Sequence, residues 1–516
     1  ELFSYFLAAL NDADEGVREL ACAAIGRYVE FGVPMPAPVV LGRLKAISED
    51  QSVSSLLRDT AHEVAEKLSK ASLAEPLLRA ADAVVEWRGR LAREAHAIRL
   101  DASTGRFVLD GRALPDTEGL ARRWRVELGL TPAQSEAAAR AMSSGEALPD
   151  DVAEAAMSAL VRCLAGAANG IRHAALAAGL IGESHALASL NRWRQAMSGD
   201  PALAWGESDA TAARRTLLRR LGARASIACL IGEQALRGRP QPAALDSACA
   251  HPDDWIRMVA LAERAALEED PSLSLEGLAA LARSHANDAD YLEPVGAAAI
   301  VLVVAGREEF LPAAQWVLAQ AQTNLRLELT QRLLVAAQKE LVARTLRSFL
   351  ARAPVAQMGR LCLALALRGA GGDLQGLDIP AGPLKGAEIE LLCACRALDA
   401  MQDNQEQAEA LKAFLRGGQE RERYCAAAYL GLARVQSATP IFASVSDQDA
   451  PWALRSLCAG MLVRRGHKLG MNWFSRNLAQ ATGPQKARMC ADLGRAVEDV
   501  IPLMLDCRDV NVGRFA

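Results

Sequence analysis

Apolar residues along this chain recur with the period of a helix, in short blocks parted by acidic turns. The clearest block is NDADEGVRELACAAIGR, residues 11–27. Its Val17, Ala21, Ala24 and Ile25 fall at i, i+4, i+7 and i+8, so they line one helical face. Asp12 and Asp14 precede that helix, where a carboxylate can accept bonds from free backbone N–H groups. The same frame returns four times. Ile171-Arg172 is followed by Ala175 and Ala178, and Ile256-Arg257 by Ala260. Glu422-Arg423 is followed by Ala426, Tyr429, Leu430 and Gly431, and Leu454-Arg455 by Cys458 and Met461. Arg423 and Arg455 are 32 residues apart, within the roughly 20–50 residue period of stacked repeats.

An acidic turn followed by a Val-Arg pair near the start of the second helix resembles the HEAT-repeat family, including its short bacterial form. Asp14, Val17 and Arg18 match that pattern best; Asp254, Ile256 and Arg257 match it moderately. The resemblance implies an all-α fold: an α-solenoid of stacked HEAT-like helical hairpins. One hairpin cannot bury its apolar face alone, so neighbours stack into a continuous core. Each repeated arginine is expected to bond the acidic turn of an adjacent unit.

Three stretches break the frame. In residues 97–110, Ile98 and Leu100 alternate, then Phe107 and Leu109, around the turn-like cluster at 101–105. This predicts a small β-hairpin insertion. Thr131-Pro132 reads as a helix start, with threonine as cap and proline at the first helical position. Residues 369–386 are dense in Gly and Pro and predict a surface loop. The expected division is therefore 1–72, N-terminal repeats; 73–150, a helical segment with the hairpin; 151–368, central repeats; 369–386, the loop; and 387–516, C-terminal repeats. The last block reads as cut off in mid-repeat, so the chain is expected to be a fragment of something longer.

Composition narrows the picture. Of 516 residues, 51% are hydrophobic and only 4% aromatic; Ala and Leu dominate, and both favour helices. The formal net charge of −4 lacks the basic excess of a dedicated nucleic-acid domain. The 11 cysteines include no C-x-x-C, and most sit in apolar helical stretches, as free thiols in a reducing compartment do. The N-terminus has no basic and apolar leader. The longest apolar run, from Val295 to Ala305, falls short of the ~20 residues a membrane span needs. These features point to a cytoplasmic protein with no membrane segment.

Chemistry is hard to find. There is no phosphate-binding G-x-x-x-x-G-K-[ST], no H-E-x-x-H and no G-x-S-x-G. The single His62-Glu63 step cannot build a metal sphere. Cys393 and Cys395 stand one residue apart on a helix and face different ways. Asp150-Asp151 and Asp253-Asp254 sit at helix starts, where they serve as caps. No catalytic residue, metal site or small-molecule cofactor is expected. Arginine and tryptophan do cluster at Trp87-Arg88-Gly89-Arg90, at Arg122–Arg125, at Arg192-Trp193-Arg194 and along Arg214–Arg224. Arginine can neutralise phosphates and tryptophan can stack on bases, so a groove like that of helical-repeat DNA glycosylases is the second reading. The first is a protein-interaction scaffold, or the sensing arm of a larger bacterial protein, with a protein partner on the concave surface. A third is the regulatory region of an effector enzyme whose catalytic domain lies elsewhere. Interface hot spots favour Trp and Arg. Trp255, Arg257, Trp452 and Arg455, at the starts of repeat helices, are the expected partner-binding residues.

Overall fold

The blocks read from the sequence fold as helices, though Ile171-Arg172 falls inside one long helix, Asp150–Ile181, and not near the start of the second helix of a pair. The computed structural model describes residues 2–30, 37–70, 74–101, 106–109, 116–146, 148–181, 186–198, 209–237, 241–320, 404–432, 435–447, 450–465 and 467–498, with isolated positions between 389 and 400. These are almost entirely helical. The chain divides into two compact units, one formed by Glu1–Pro240 with Gly466–Ala516, the other by Gln241–Arg465.

The first unit begins with α1 (Leu2–Ala9), α2 (Glu15–Glu30), α3 (Ala37–Glu49) and α4 (Ser55–Lys70). Asp14 starts α2 as expected: its Oδ1 accepts the Gly16 N–H at 2.7 Å. The apolar face of α2 packs with Val40, Leu44, Leu57, Ala61 and Val64 into one core. A repeat missed above explains the fit. Leu57-Arg58, Ala61, Val64 and Ala65 reproduce the Val17-Arg18 frame forty residues on. The second helices α2 and α4 run side by side and parallel. Ser54 N–H donates to Glu15 Oε2 at one end (3.2 Å), and Lys67 pairs with Glu30 at the other (2.9 Å). Gly26 permits the close crossing, because a Cβ there would lie 2.9 Å from Val64 Cγ2.

The next helices are α5 (Ala74–Ala97), α6 (Thr117–Leu128), α7 (Pro132–Ser144), α8 (Asp150–Ile181), α9 (Leu187–Ser198) and α10 (Asp209–Leu236). Between α5 and α6, β1 (Ile98–Asp101) and β2 (Arg106–Leu109) pair antiparallel, Ile98 opposite Leu109 and Leu100 opposite Phe107. Thr131 caps α7 in a reciprocal box with Gln134. The long helix α8 is the spine. Its glycine- and alanine-rich turns let backbones approach where any larger residue would hold them apart. A Cβ on Gly232 of α10 would meet the Ala175 carbonyl at 2.6 Å, and one on Gly179 would meet Gly232 Cα at 2.8 Å.

The other neighbour of α8 comes from the far end of the chain. The last two helices, Lys468–Leu478 and Gly483–Glu498, belong to this unit. The final one packs on α8 and α5, with Gly170 and Gly494 at the crossing. Cys490 donates its thiol to the Gly170 carbonyl at 3.1 Å. Neighbour-to-neighbour stacking does not return a last helix to an early one, so this part of the unit departs from the linear stack expected. Physically, the small residues of α8 offer two close-packing faces rather than one.

The second unit opens with α11 (Asp246–Cys249), α12 (Asp254–Leu267), α13 (Ser272–Ser284), α14 (Leu292–Val304) and α15 (Leu311–Gln320). Here helices pack with their next and next-but-one neighbours. Met258, Leu278, Val295, Leu302 and Phe310 share the core, so the long apolar run is a buried helix. No helix among the described residues is long and apolar enough to cross a membrane. The predicted loop at 369–386 lies outside the described residues. After it come α16 (Gln405–Gly417), α17 (Glu420–Leu432), α18 (Thr439–Asp447) and α19 (Trp452–Arg464). The two last helices named above are then α20 and α21.

The repeat arginines of this second group correct one expectation. Arg423 Nε donates to the Leu415 carbonyl at 3.0 Å, and Arg455 Nε to the Ser446 carbonyl at 3.0 Å. Arg423 thus reaches back across its own turn to the end of the preceding helix rather than to a neighbouring acidic turn, and Arg455 Nε makes the same kind of contact. Carbonyls at a helix C-terminus lack intrahelical partners and carry the negative end of the dipole, so a guanidinium suits them. Arg465 does the same for α17, donating to the carbonyls of Leu430 (2.8 Å) and Val435 (2.6 Å). Arg18 comes closer to the expected role. Asp50, in the turn before α4, is held below its ordinary value mainly by hydrogen bonds from Ser52, with Arg18 and Arg58 adding to the effect.

Cys22, Cys229, Cys458 and Cys490 are buried free thiols. Burial pushes Cys22 and Cys163 up to about 11 and raises Cys229 and Cys490 as well. In the unfolded chain a thiol titrates near its ordinary value of about 8.5. Above that pH the unfolded state loses protons that the native state keeps, so stability falls as pH rises. The urea midpoint is expected to hold below pH 8 and to drop between pH 9 and 11. Cys229→Ala with Cys490→Ala should flatten that drop; an equal drop in the double variant would refute the assignment.

Candidate functional site

The four residues singled out from sequence fall on separate helix groups of the second unit. α12 packs against α13 and α14, whereas α19 packs against α17 and α18. Asp253 caps α12 through the Trp255 N–H (2.9 Å), which turns the next residues into the core. Trp255 is therefore only 2% exposed and packs inside the unit; it offers no ring to a partner. Arg257 pairs with Asp254 on its own helix. Asp254 also meets His285 Nε2 at 3.1 Å, and His285 stacks on Tyr291 with centroids 3.7 Å apart. This knot fastens the start of α12 to the end of α13. Trp452 is half-buried at the first residue of α19, and Arg455 is engaged with Ser446.

Of the arginine–tryptophan clusters, those at 87–90 and 192–194 and Arg224 turn inward, whereas Arg122, Arg125 and Arg219 are exposed. All lie in the first unit. Trp87 and Trp193 are buried. Trp193 donates its indole N–H to Asp82 at 2.8 Å, and Arg192 pairs with the same carboxylate. Arg88 caps the end of α9 through the Ala196 carbonyl at 2.8 Å; burial pulls its guanidinium down to about 10, still protonated at neutral pH. Arg90 pairs with Glu127 at 2.9 Å, and Arg194 with Glu233 at 3.0 Å. Arg224 is buried and bonds Asn169. Guanidinium groups committed to carboxylates and helix ends in this way bind α5, α9 and α10 together.

Chemistry stays sparse. Among the described residues no group of three or more His, Cys, Asp or Glu is placed to hold a metal ion. His62 is exposed on α4, and Glu63 beside it pairs with Lys67 at 2.7 Å.

What sequence reasoning missed is an apolar surface on the first two hairpins. Leu20 on α2 is 73% exposed and Leu56 on α4 59%, with Val17 at 37%. A signal was present: Leu20 lies off the face set by Ala21 and Ile25, where a soluble helix places polar residues. No protein-family model matches the chain, and neither a curated protein nor a solved structure does.

Proposed function

We propose that this chain is a protein-binding scaffold, or the sensing arm of a larger bacterial protein, built on HEAT-like hairpins. The observation that carries the reading is the pair Leu20 and Leu56. One exposed leucine is ordinary on any surface. Two on adjacent parallel helices, with Val17 also partly exposed on α2, put apolar side chains in water of the sort that marks interaction sites. Arg88, Arg194 and Arg224 are engaged inside the first unit, and the formal charge of −4 lacks the basic excess of a nucleic-acid domain, which favours a protein ligand. The free thiols suit a reducing, cytoplasmic setting. Trp452 remains the candidate anchor of the second unit.

A photo-crosslinking residue placed at Leu20 or at Leu56 is expected to capture a protein in the native host. The same residue at the exposed control position Glu276 should capture none. Equal capture at all three positions, or none at any, would refute a specific interaction face.

A further inference from the structure

We infer that the face of α2 and α4 receives a cationic amphipathic segment of its partner; this rests on the scaffold reading above. Residues 11–30 and 50–70, which hold these helices and their leading turns, carry nine carboxylates and five cations. That excess of four negative charges equals the formal −4 of the whole chain, so the remainder is balanced. The cations are partly withdrawn from the surface as well. Arg18 and Arg58 are half-buried near Asp50, and Lys67 is shared between Glu30 and Glu63.

The carboxylates flank the leucines. Glu19 precedes Leu20 on α2 and is half-buried. Asp59 and Glu63 follow Leu56 by three and seven residues, on the same side of α4, and both are exposed. The spacing also suits a helix. The Ser54 N–H donates to the Glu15 carboxylate, which brings the starts of α2 and α4 together; Leu20 stands five residues beyond Glu15 and Leu56 two beyond Ser54. At ~1.5 Å per residue and ~8–10 Å between axes, the leucines lie about 10 Å apart. Apolar residues at i and i+7 of a bound helix span about that distance. Lysine or arginine between them would face Glu19, Asp59 and Glu63. An acidic segment would meet like charge. So would a second copy of this chain, which presents the same excess.

The test uses the full chain and two synthetic helical peptides, one of leucine and lysine, the other with glutamate at every lysine. Fluorescence anisotropy is expected to show binding of the cationic peptide only, weakening with salt. Leu20→Ser with Leu56→Ser, and separately Glu19→Lys with Asp59→Lys, should each weaken it at least tenfold while circular dichroism stays unchanged. Three results would overturn the inference: equal binding of the acidic peptide, cationic binding that both variants leave intact, or self-association that the leucine variant abolishes. If neither peptide binds but crosslinkers at Leu20 and Leu56 still capture a protein segment, the charge assignment falls and the scaffold reading stands. A captured segment rich in lysine or arginine supports both.

Discussion

Gly232→Ala is expected to destabilise the first unit by about 1–3 kcal/mol, although alanine is the better helix former. The added Cβ would sit 2.6 Å from the Ala175 carbonyl. That neighbour is backbone, so relief requires moving α10 away from α8, the ordinary cost of overpacking. Gly166→Ala, on the same spine, should do the opposite. Nothing lies within 4 Å of the position its Cβ would take, so the propensity gain of up to about 1 kcal/mol stands alone. Urea midpoints measured side by side check both signs. Two stabilised variants would mean that α8 and α10 do not cross at Gly232.

Arg194→Met is expected to cost more, about 3–5 kcal/mol. Glu233 is 2% exposed, and removing its partner leaves a carboxylate stranded out of water. Arg194→Met with Glu233→Leu should recover most of the loss, because the stranded charge goes too. A double-mutant cycle isolates the coupling. A loss below about 1 kcal/mol for the single variant would show that this pair does not hold α9 to α10.

Local features of the fold were legible in the sequence. The Asp14 and Thr131 caps, the helical faces and the 98–109 strands each depend on residues only a few positions apart, and short-range periodicity reports such relations directly. The return of α21 to α8 was not legible. Gly170 lets α8 approach Ala487 and Cys490, and Gly494 lets α21 approach His173 and Ala174, but no pattern within either helix names the other as partner. The site suffered from a related blindness. Trp255 and Leu20 both stand near helix starts, and hot-spot statistics favour the tryptophan. The cap at Asp253 sets the rotation of α12 and drives Trp255 inward, whereas Leu20 escapes burial because α2 spends its opposite face on the core. The arginine clusters are ambiguous in sequence for a different reason. A guanidinium beside an indole reads the same whether it meets a phosphate or a helix end.

The late arrival of α21 has a consequence for synthesis in the cell. Roughly 300 residues separate the end of α8 from the start of α21. At ~5–20 residues per second, the ribosome needs roughly 15–60 s to deliver the missing helix. Throughout that interval the Gly170–Ala174 face of α8 lacks α21, while the residues of the second unit emerge. The nascent chain therefore passes through a stage in which this face of α8 is uncovered, and a holding chaperone would find its binding surface there.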